Sequence, residues 1–206
     1  MNINAAPGAA ARPPGRPREF EMEEALDKAI VVFSERGYHA ASISELKGAM
    51  GLAAGSLYKA FKDKKAIFLA TFDRYKQVRN ALLDEEIAMG SDGRAKILRM
   101  LNFYAEASQG EMGRRGCLVV GTATELAVSD ADAAERVARS HVRSEALLES
   151  LIREGQADGS IGPGIDPVPI AKFLLCVIQG MRVLGKTGQD PANAFAMVET
   201  AMRLLD

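Results

Sequence analysis

An all-α fold follows from three observations. Apolar residues recur three or four positions apart from Phe20 to the C-terminus, which is the period of helices buried on one side. Helix-opening signals stand before these stretches: Ser42 with Glu45, Asp63, and the pairs Asp166-Pro167 and Asp190-Pro191. Glycines stand after several of them, at Gly37, Gly51, Gly90 and Gly159.

Residues 1–18 are rich in Ala, Pro and Gly. They are expected to be a disordered basic arm, because they bury too little surface to offset the entropy of ordering. The first helix is expected from Phe20 to Arg36, with Met22, Ala25, Leu26, Ala29, Ile30 and Phe33 inward and Glu21, Glu23 and Glu24 at its start, where the macrodipole favours them. Tyr38 and His39 then form a link, with His39 read as a solvated turn residue.

Ser42 and Glu45 form a capping box, so the second helix begins at Ile43, buries Ile43, Leu46 and Met50, and stops at Gly51. A third short helix, Ala53 to Phe61, buries Leu57 and Phe61. Two short helices around a glycine turn make a helix-turn-helix. The second of them presents Gly55, Ser56, Tyr58 and Lys59, side chains suited to close approach to a major groove and to hydrogen bonds with phosphates and base edges.

Asp63 caps a long helix that runs to Gly90 through Leu69, Phe72, Val78, Leu82 and Ile87. It opens with Lys64 and Lys65, the sign the helix dipole disfavours. A phosphate bound there reverses that penalty. The remaining elements are helices over about 94–108 and 117–127, a long helix capped by Asp130 or Asp132 and ending near Asp158, a loop from Gly110 to Gly116, and two more helices opened by the Asp-Pro pairs. The domains expected are the arm at 1–18, a DNA-binding unit at 19–65 and a helical unit at 66–206.

Composition limits the function. The 206 residues suffice for one large or two small cores, and a net charge of −1 argues against a generic polyanion binder. The charge is unevenly spread: residues 1–80 hold 13 Lys+Arg against 9 Asp+Glu, and residues 81–206 hold 13 against 18. A positive N-terminal part and a negative remainder fit a DNA-facing unit joined to one with another task. The N-terminus lacks the apolar stretch of a signal peptide, and the run from Phe173 to Leu184 contains Gln179 and Arg182 and reads as too short to span a bilayer. The expected location is the cytoplasm. Cys117 and Cys176 form no C-x-x-C pair, so neither a zinc site nor a disulfide framework is indicated, and no cofactor is expected.

The pattern Gly51-Leu52-x-x-Gly55-x-Leu57-Tyr58-x-x-Phe61-x-x-Lys64 resembles the recognition region of the TetR family of bacterial transcriptional regulators, and the likeness runs from about Phe20 to about Tyr75. Ala53 departs from it, since many members carry serine there at the cap of the recognition helix. The resemblance implies double-stranded operator DNA as partner. DNA contacts are then expected from Ser42, Ser44, Gly55, Ser56, Tyr58, Lys59, Lys62 and Lys64. Gly15-Arg16-Pro17-Arg18 looks like a minor-groove arm, with Arg16 and Arg18 as its contacts.

The helix from Pro167 is apolar nearly all round. With the last helix it reads as half of a homodimer interface, as the family resemblance also implies. Phe173, Val177, Met181, Leu184, Phe195, Val198 and Met202 are its expected residues, and Gly180 and Gly185 allow close backbone approach.

The stretch Gly116-Cys117-Leu118 is similar to a branch of the family whose members answer to copper or to small organic molecules. The resemblance implies an effector pocket, expected between the helices at Met100, Phe103, Tyr104, Cys117, Gly121, Thr122, His141 and Phe173. Three effector classes stay open: an apolar small molecule, copper(I) held by soft ligands, and chemical modification of the Cys117 thiol. The sign of regulation, repressor or activator, is open as well. An enzyme has little support, because there is no phosphate loop, no nucleophile elbow and no metal-spaced cluster, and His39 and His141 are the only histidines.

Overall fold

The structure is a computed structural model that describes residues 18–52, 54–188 and 190–206, without the side chains of residues 18–21, 54 and 191. The expectations for Arg16, for the Arg18 side chain and for Ala53 lie outside the described residues. The chain forms α1 (Arg18–Ala40), α2 (Ile43–Met50), α3 (Ala54–Ala60), α4 (Lys64–Ala88), α5 (Gly93–Ala107), α6 (Gly110–Arg115), α7 (Leu118–Glu125), α8 (Ala131–Asp158), α9 (Pro167–Lys186) and α10 (Pro191–Met202), closed by a 3-10 turn over Arg203–Leu205. There is no strand among the described residues.

The caps form as the sequence requires. Ser42 accepts from the Glu45 N–H while the Glu45 carboxylate returns to the Ser42 N–H, and Gly51 takes the left-handed conformation at φ 67°. Asp63, Asp92, Asp130, Asp166 and Asp190 each accept a backbone N–H from the first turn of the helix that follows. Two boundaries differ from expectation. The segment 110–116 is not a loop: Gly110–Arg115 winds as α6, closed by Gly116 at φ 94°. Helix α1 continues to Ala40, yet it is broken where the stop was expected, at Gly37 with φ 77° and ψ 174°.

Two buried clusters organise these helices. The first joins Ala25, Ala29 and Phe33 of α1, Leu46 and Met50 of α2, Leu57 of α3 and Ile67, Phe68 and Phe72 of α4. It continues into Leu118 and Val119 of α7 and Val137 of α8, so the helix-turn-helix rests on the rest of the protein through shared core. The second cluster packs Leu83 and Ile87 of α4 with α5, the distal half of α8, α9 and α10, around Ile97, Met100, Leu148, Ile152, Leu174 and Ile178. The 25-residue α4 contributes to both. At 1.5 Å per residue it reaches about 37 Å and is a stiff member between them.

Helix α9 corrects one expectation. With 20 residues it is long and apolar enough, by length and composition alone, to cross a membrane. Here one of its sides packs on α8 and α5 and the opposite side is open. A helix apolar on two sides needs two partners.

Candidate functional site

The helix-turn-helix places its polar side chains outward. Ser44, Gly55, Ser56, Lys59 and Lys62 are exposed, and Tyr58 is 62% exposed. Leu57, on the opposite side of α3, is buried beneath them and fixes the angle of the helix. Among the described residues Lys59 and Tyr58 make no hydrogen bond or ion pair, whereas Lys62 approaches Asp63 at 3.9 Å. Ser42 differs from its neighbours, because its hydroxyl also donates to Glu45 at 2.9 Å and is committed to the cap.

The two lysines that open α4 are used within the protein. Lys64 donates to the His39 carbonyl at 3.2 Å and lies 4.7 Å above the Tyr38 ring. Lys65 does not face a phosphate site: it bridges Asp130 and Asp132 at the start of α8, each at 2.7 Å. Hydrogen bonds to those two carboxylates push its ammonium above the usual lysine range. The wrong-sign lysine is thus balanced by two carboxylates from a remote helix start.

Other contacts fasten the same joint. Glu125, on α7, accepts the backbone N–H of Tyr38 at 2.9 Å and of His39 at 2.7 Å. Lys186 at the end of α9 donates to the Ser34 carbonyl at 3.2 Å, and Arg115 approaches Glu35 at 3.4 Å. Between these elements runs a crevice of about 220 Å³ lined by residues that include Tyr38, Phe68, Cys117, Gly121, Thr122 and Glu125. Glu125 and Lys186 were not foreseen as functional residues, and Lys65 was expected beside a phosphate rather than beside carboxylates. Their partners are remote in sequence, and no local spacing marks them.

The structure divides the expected effector residues. Cys117, Gly121 and Thr122 share the crevice. Phe103 and Tyr104 pack edge to face at 5.4 Å, and the Arg79 guanidinium lies 4.0 Å from the Phe103 ring centre. Met100 is fully buried in the second cluster. Phe173 does not belong with them, being 48% exposed on the outer side of α9. His141 is half-buried, and its Nε2 is enclosed without a hydrogen-bond partner. Burial pulls its pKa down and Lys76 adds to this, with Glu145 opposing.

Cys117 accepts a hydrogen bond from the Tyr75 hydroxyl at 3.5 Å. Burial pushes its thiol up, but Arg182, Tyr75 and the N–H groups of Val120 and Val119 outweigh this and leave it below its ordinary value. Arg182 is 4% exposed and donates to the Gly116 carbonyl at 2.8 Å. Cys117 and Cys176 are both free, and among the described residues no three His, Cys, Asp or Glu side chains gather as a metal site.

The outer side of α9 and α10 forms an apolar groove of about 640 Å³, with Phe173, Val177, Gly180, Ala196, Met197 and Leu204 in its walls. Phe195 is exposed on the same pair of helices. Three residues expected at a dimer interface are elsewhere: Met181, Val198 and Met202 are buried in the protomer's own core, and Met181 is only 1% exposed. Leu184 is half-buried. Gly185 also turns inward, where a Cβ would stand 2.3 Å from the Ser108 carbonyl oxygen, while Gly180 faces open space.

A compact helix-turn-helix with an exposed polar recognition helix, carried on a larger helical body with an open apolar face, defines a DNA-binding transcriptional regulator. Residues 25–71 match the family described as bacterial regulatory proteins of the tetR family, and residues 93–201 match the tetracyclin repressor-like C-terminal domain. The chain belongs to the TetR family and is a regulator, not an enzyme. Among its relatives, the HTH-type transcriptional repressor ComR of Escherichia coli (strain K12) is 29% identical over 193 residues, which is 92% of this chain and 91% of ComR. The transcriptional regulator AcuR of Cereibacter sphaeroides is 27% identical over 188 residues, covering 89% of this chain and 86% of AcuR. Among solved structures, a cysteine variant of the TetR family regulator CifR bound to 26-base-pair double-strand operator DNA is 28% identical, with a TM-score of 0.77 over 91% of this chain and 98% of that one.

Proposed function

We propose that this chain is a cytoplasmic, homodimeric repressor that holds a palindromic operator and releases it when a small molecule binds between its helices. The observation that carries this reading is the outward face of α3, where Tyr58 and Lys59 have no partner among the described residues. Residues 19–65 supply DNA contacts through Ser44, Gly55, Ser56, Tyr58, Lys59 and Lys62, while Ser42 and Lys64 hold the unit in shape. The basic arm at 1–18, with Arg16 and Arg18, adds a minor-groove contact. Residues 66–206 carry the effector site and, through Phe173, Val177 and Phe195, the dimer face.

The mechanism is thermodynamic linkage. Two recognition helices serve a palindrome only if they are set for half-sites about 34–36 Å apart. An effector that prefers another setting weakens operator binding by its own coupling free energy. The joint made by Glu125, Lys65 and Lys186 lies between α7, α8 and α9 and the DNA-binding helices, where such a change has to pass.

Fluorescence anisotropy tests this with DNA from upstream of the protein's own gene, a scrambled duplex and fragments from the rest of its genome. Specific binding exceeds non-specific binding by at least about a thousandfold in such regulators. Equal affinity for every duplex overturns the reading.

A further inference from the structure

Inside the helical body, cationic groups collect without matching anions. Lys76 and Arg79 lie on α4 and Arg182 on α9. None of the three is in an ion pair with a carboxylate among the described residues. Arg182 is met by the Gly116 carbonyl and, at 3.5 Å, by the Ser108 hydroxyl, and Arg79 by the Phe103 ring. Lys76 has no hydrogen-bond partner among the described residues. Arg143, nearby on α8, is neutralised by Asp84 at 3.1 Å. Glu145, one turn from His141, acts on that ring and is in no ion pair among the described residues.

These groups sense one another. Arg79 and Arg182 both act on Tyr75 and Tyr104, Lys76 acts on His141, and Arg79 and Arg143 act on Lys76. Burial and these neighbours hold the Lys76 ammonium below the usual lysine range. Among the described residues the half-buried Lys76 ammonium and Tyr104 hydroxyl have no hydrogen-bond partner, and of the groups here only the His141 Nε2 is enclosed without one. Buried charges without counter-charges destabilise a fold, and unsatisfied donors call for an acceptor.

We propose that Lys76, Arg79, Tyr104 and Arg182 form the headgroup site for the effector, and that the effector is a small organic carboxylate whose apolar part lies against the rings of Phe103 and Tyr104. This rests on the effector reading above and assigns the ligand's class. The carboxylate supplies the missing acceptors and counter-charge, and it draws α4, α5 and α9 together through charge-assisted hydrogen bonds. Helix α4 carries Lys64 and Lys65 at its other end, so a pull at Lys76 and Arg79 acts on the joint that sets the DNA-binding helices.

The test uses the full chain and calorimetric titration with propionate, benzoate and octanoate, each beside its neutral amide. At least one acid is expected to bind more tightly than its amide by about 10- to 100-fold, the factor a charge-assisted hydrogen bond to a buried group supplies. It is also expected to lower affinity for the protein's own upstream DNA. Lys76→Met and Arg79→Met should each lose that preference, while the ligand-free Lys76→Met protein melts no lower than wild type, because a half-buried cation with no ion pair among the described residues has been removed.

Amides binding as well as acids, no acid binding at millimolar concentration, or an acid that binds without affecting DNA each overturns the proposal. So does an acid preference that survives in both variants. DNA binding by the ligand-free chain, measured on the same preparations, separates the outcomes. If specific binding persists while the acids fail, the regulator reading stands and only the ligand class falls; if ligand-free binding is unspecific, the regulator reading falls by itself.

Discussion

The Glu125 carboxylate on α7 accepts the backbone N–H of Tyr38 at 2.9 Å, and its second oxygen takes the N–H of His39 at 2.7 Å. One side chain of the helical body thus closes the break in α1 at Gly37, immediately ahead of the helix-turn-helix. The break leaves these two amides outside the α1 ladder, and Glu125 satisfies both.

Glu125→Ala is expected to lower stability by about 1–3 kcal/mol, the range for losing hydrogen bonds to a charged acceptor. Urea unfolding gives that number, and amide hydrogen exchange should show loss of protection at Tyr38 and His39. Unchanged protection at both amides would mean that the clamp does not hold in solution.

Gly37→Ala should be damaging for two reasons. Its φ of 77° with ψ of 174° lies in a region nearly reserved for glycine, and a Cβ there would stand 2.7 Å from the Glu125 carboxylate. A cost of about 1–3 kcal/mol is expected from backbone strain alone. The double variant Gly37→Ala with Glu125→Ala should then lose less than the two single losses combined, because the steric part vanishes with the carboxylate. Strict additivity in thermal or urea melts would remove the contact from this account.

Lysines of one type should behave differently by position. Lys59 has no partner among the described residues, so Lys59→Ala should reduce the salt dependence of DNA binding by about one ion with little effect on melting. Lys65 is occupied by Asp130 and Asp132. Lys65→Ala should leave the salt slope unchanged. A drop of equal size in both variants would contradict the assignment of Lys65 to the joint.

Acid should loosen that joint. Hydrogen bonds from Lys65 and from the Ala133 N–H hold the Asp130 carboxyl below its ordinary value in the folded state. The folded protein therefore binds fewer protons there than the unfolded chain, so the stabilisation is complete above the unfolded pKa of about 3.9 and is lost as pH falls through the lower folded value. Asp130→Asn keeps a capping side chain but has no charge to lose. Its urea midpoint should fall less than that of wild type between neutral pH and the acid limit; matching slopes would refute the claim.

The dimer face gives a contrast within one helix. Phe173→Glu places a charge on the open groove and should yield monomers in light scattering with a nearly unchanged melt of the protomer. Met181→Ala removes a core side chain and should cost about 2–5 kcal/mol in urea while leaving a dimer at high concentration. A monomeric Met181→Ala that melts like wild type would reverse the two roles.

Much of this fold was legible in the sequence because the signals are local. The Ser42 and Glu45 box, the Asp-Pro openings, the stop at Gly51 and the outward set of Gly55, Ser56, Tyr58 and Lys59 depend on residues within a turn or two of one another. The short helix at Gly110–Arg115 was missed because three glycines in seven residues read as a loop.

What the sequence determined by itself is therefore most of the inventory: nine of the ten helices described, a helix-turn-helix, and an α9 too apolar to have only one partner. Tertiary structure decided the assignments. A helix apolar on both sides carries no local mark of which side meets its own core, so packing against α8 and α5 alone turned Met181 inward and left Phe173 outside. Lys59 and Lys65 have the same side chain, and only the arrival of α8 beside α4 neutralised Lys65, while Lys59 stays exposed. Lys76, Arg79 and Arg182 look like ordinary surface charges along the chain; the fold buries Arg182 and half-buries Lys76 and Arg79, none of them in an ion pair among the described residues.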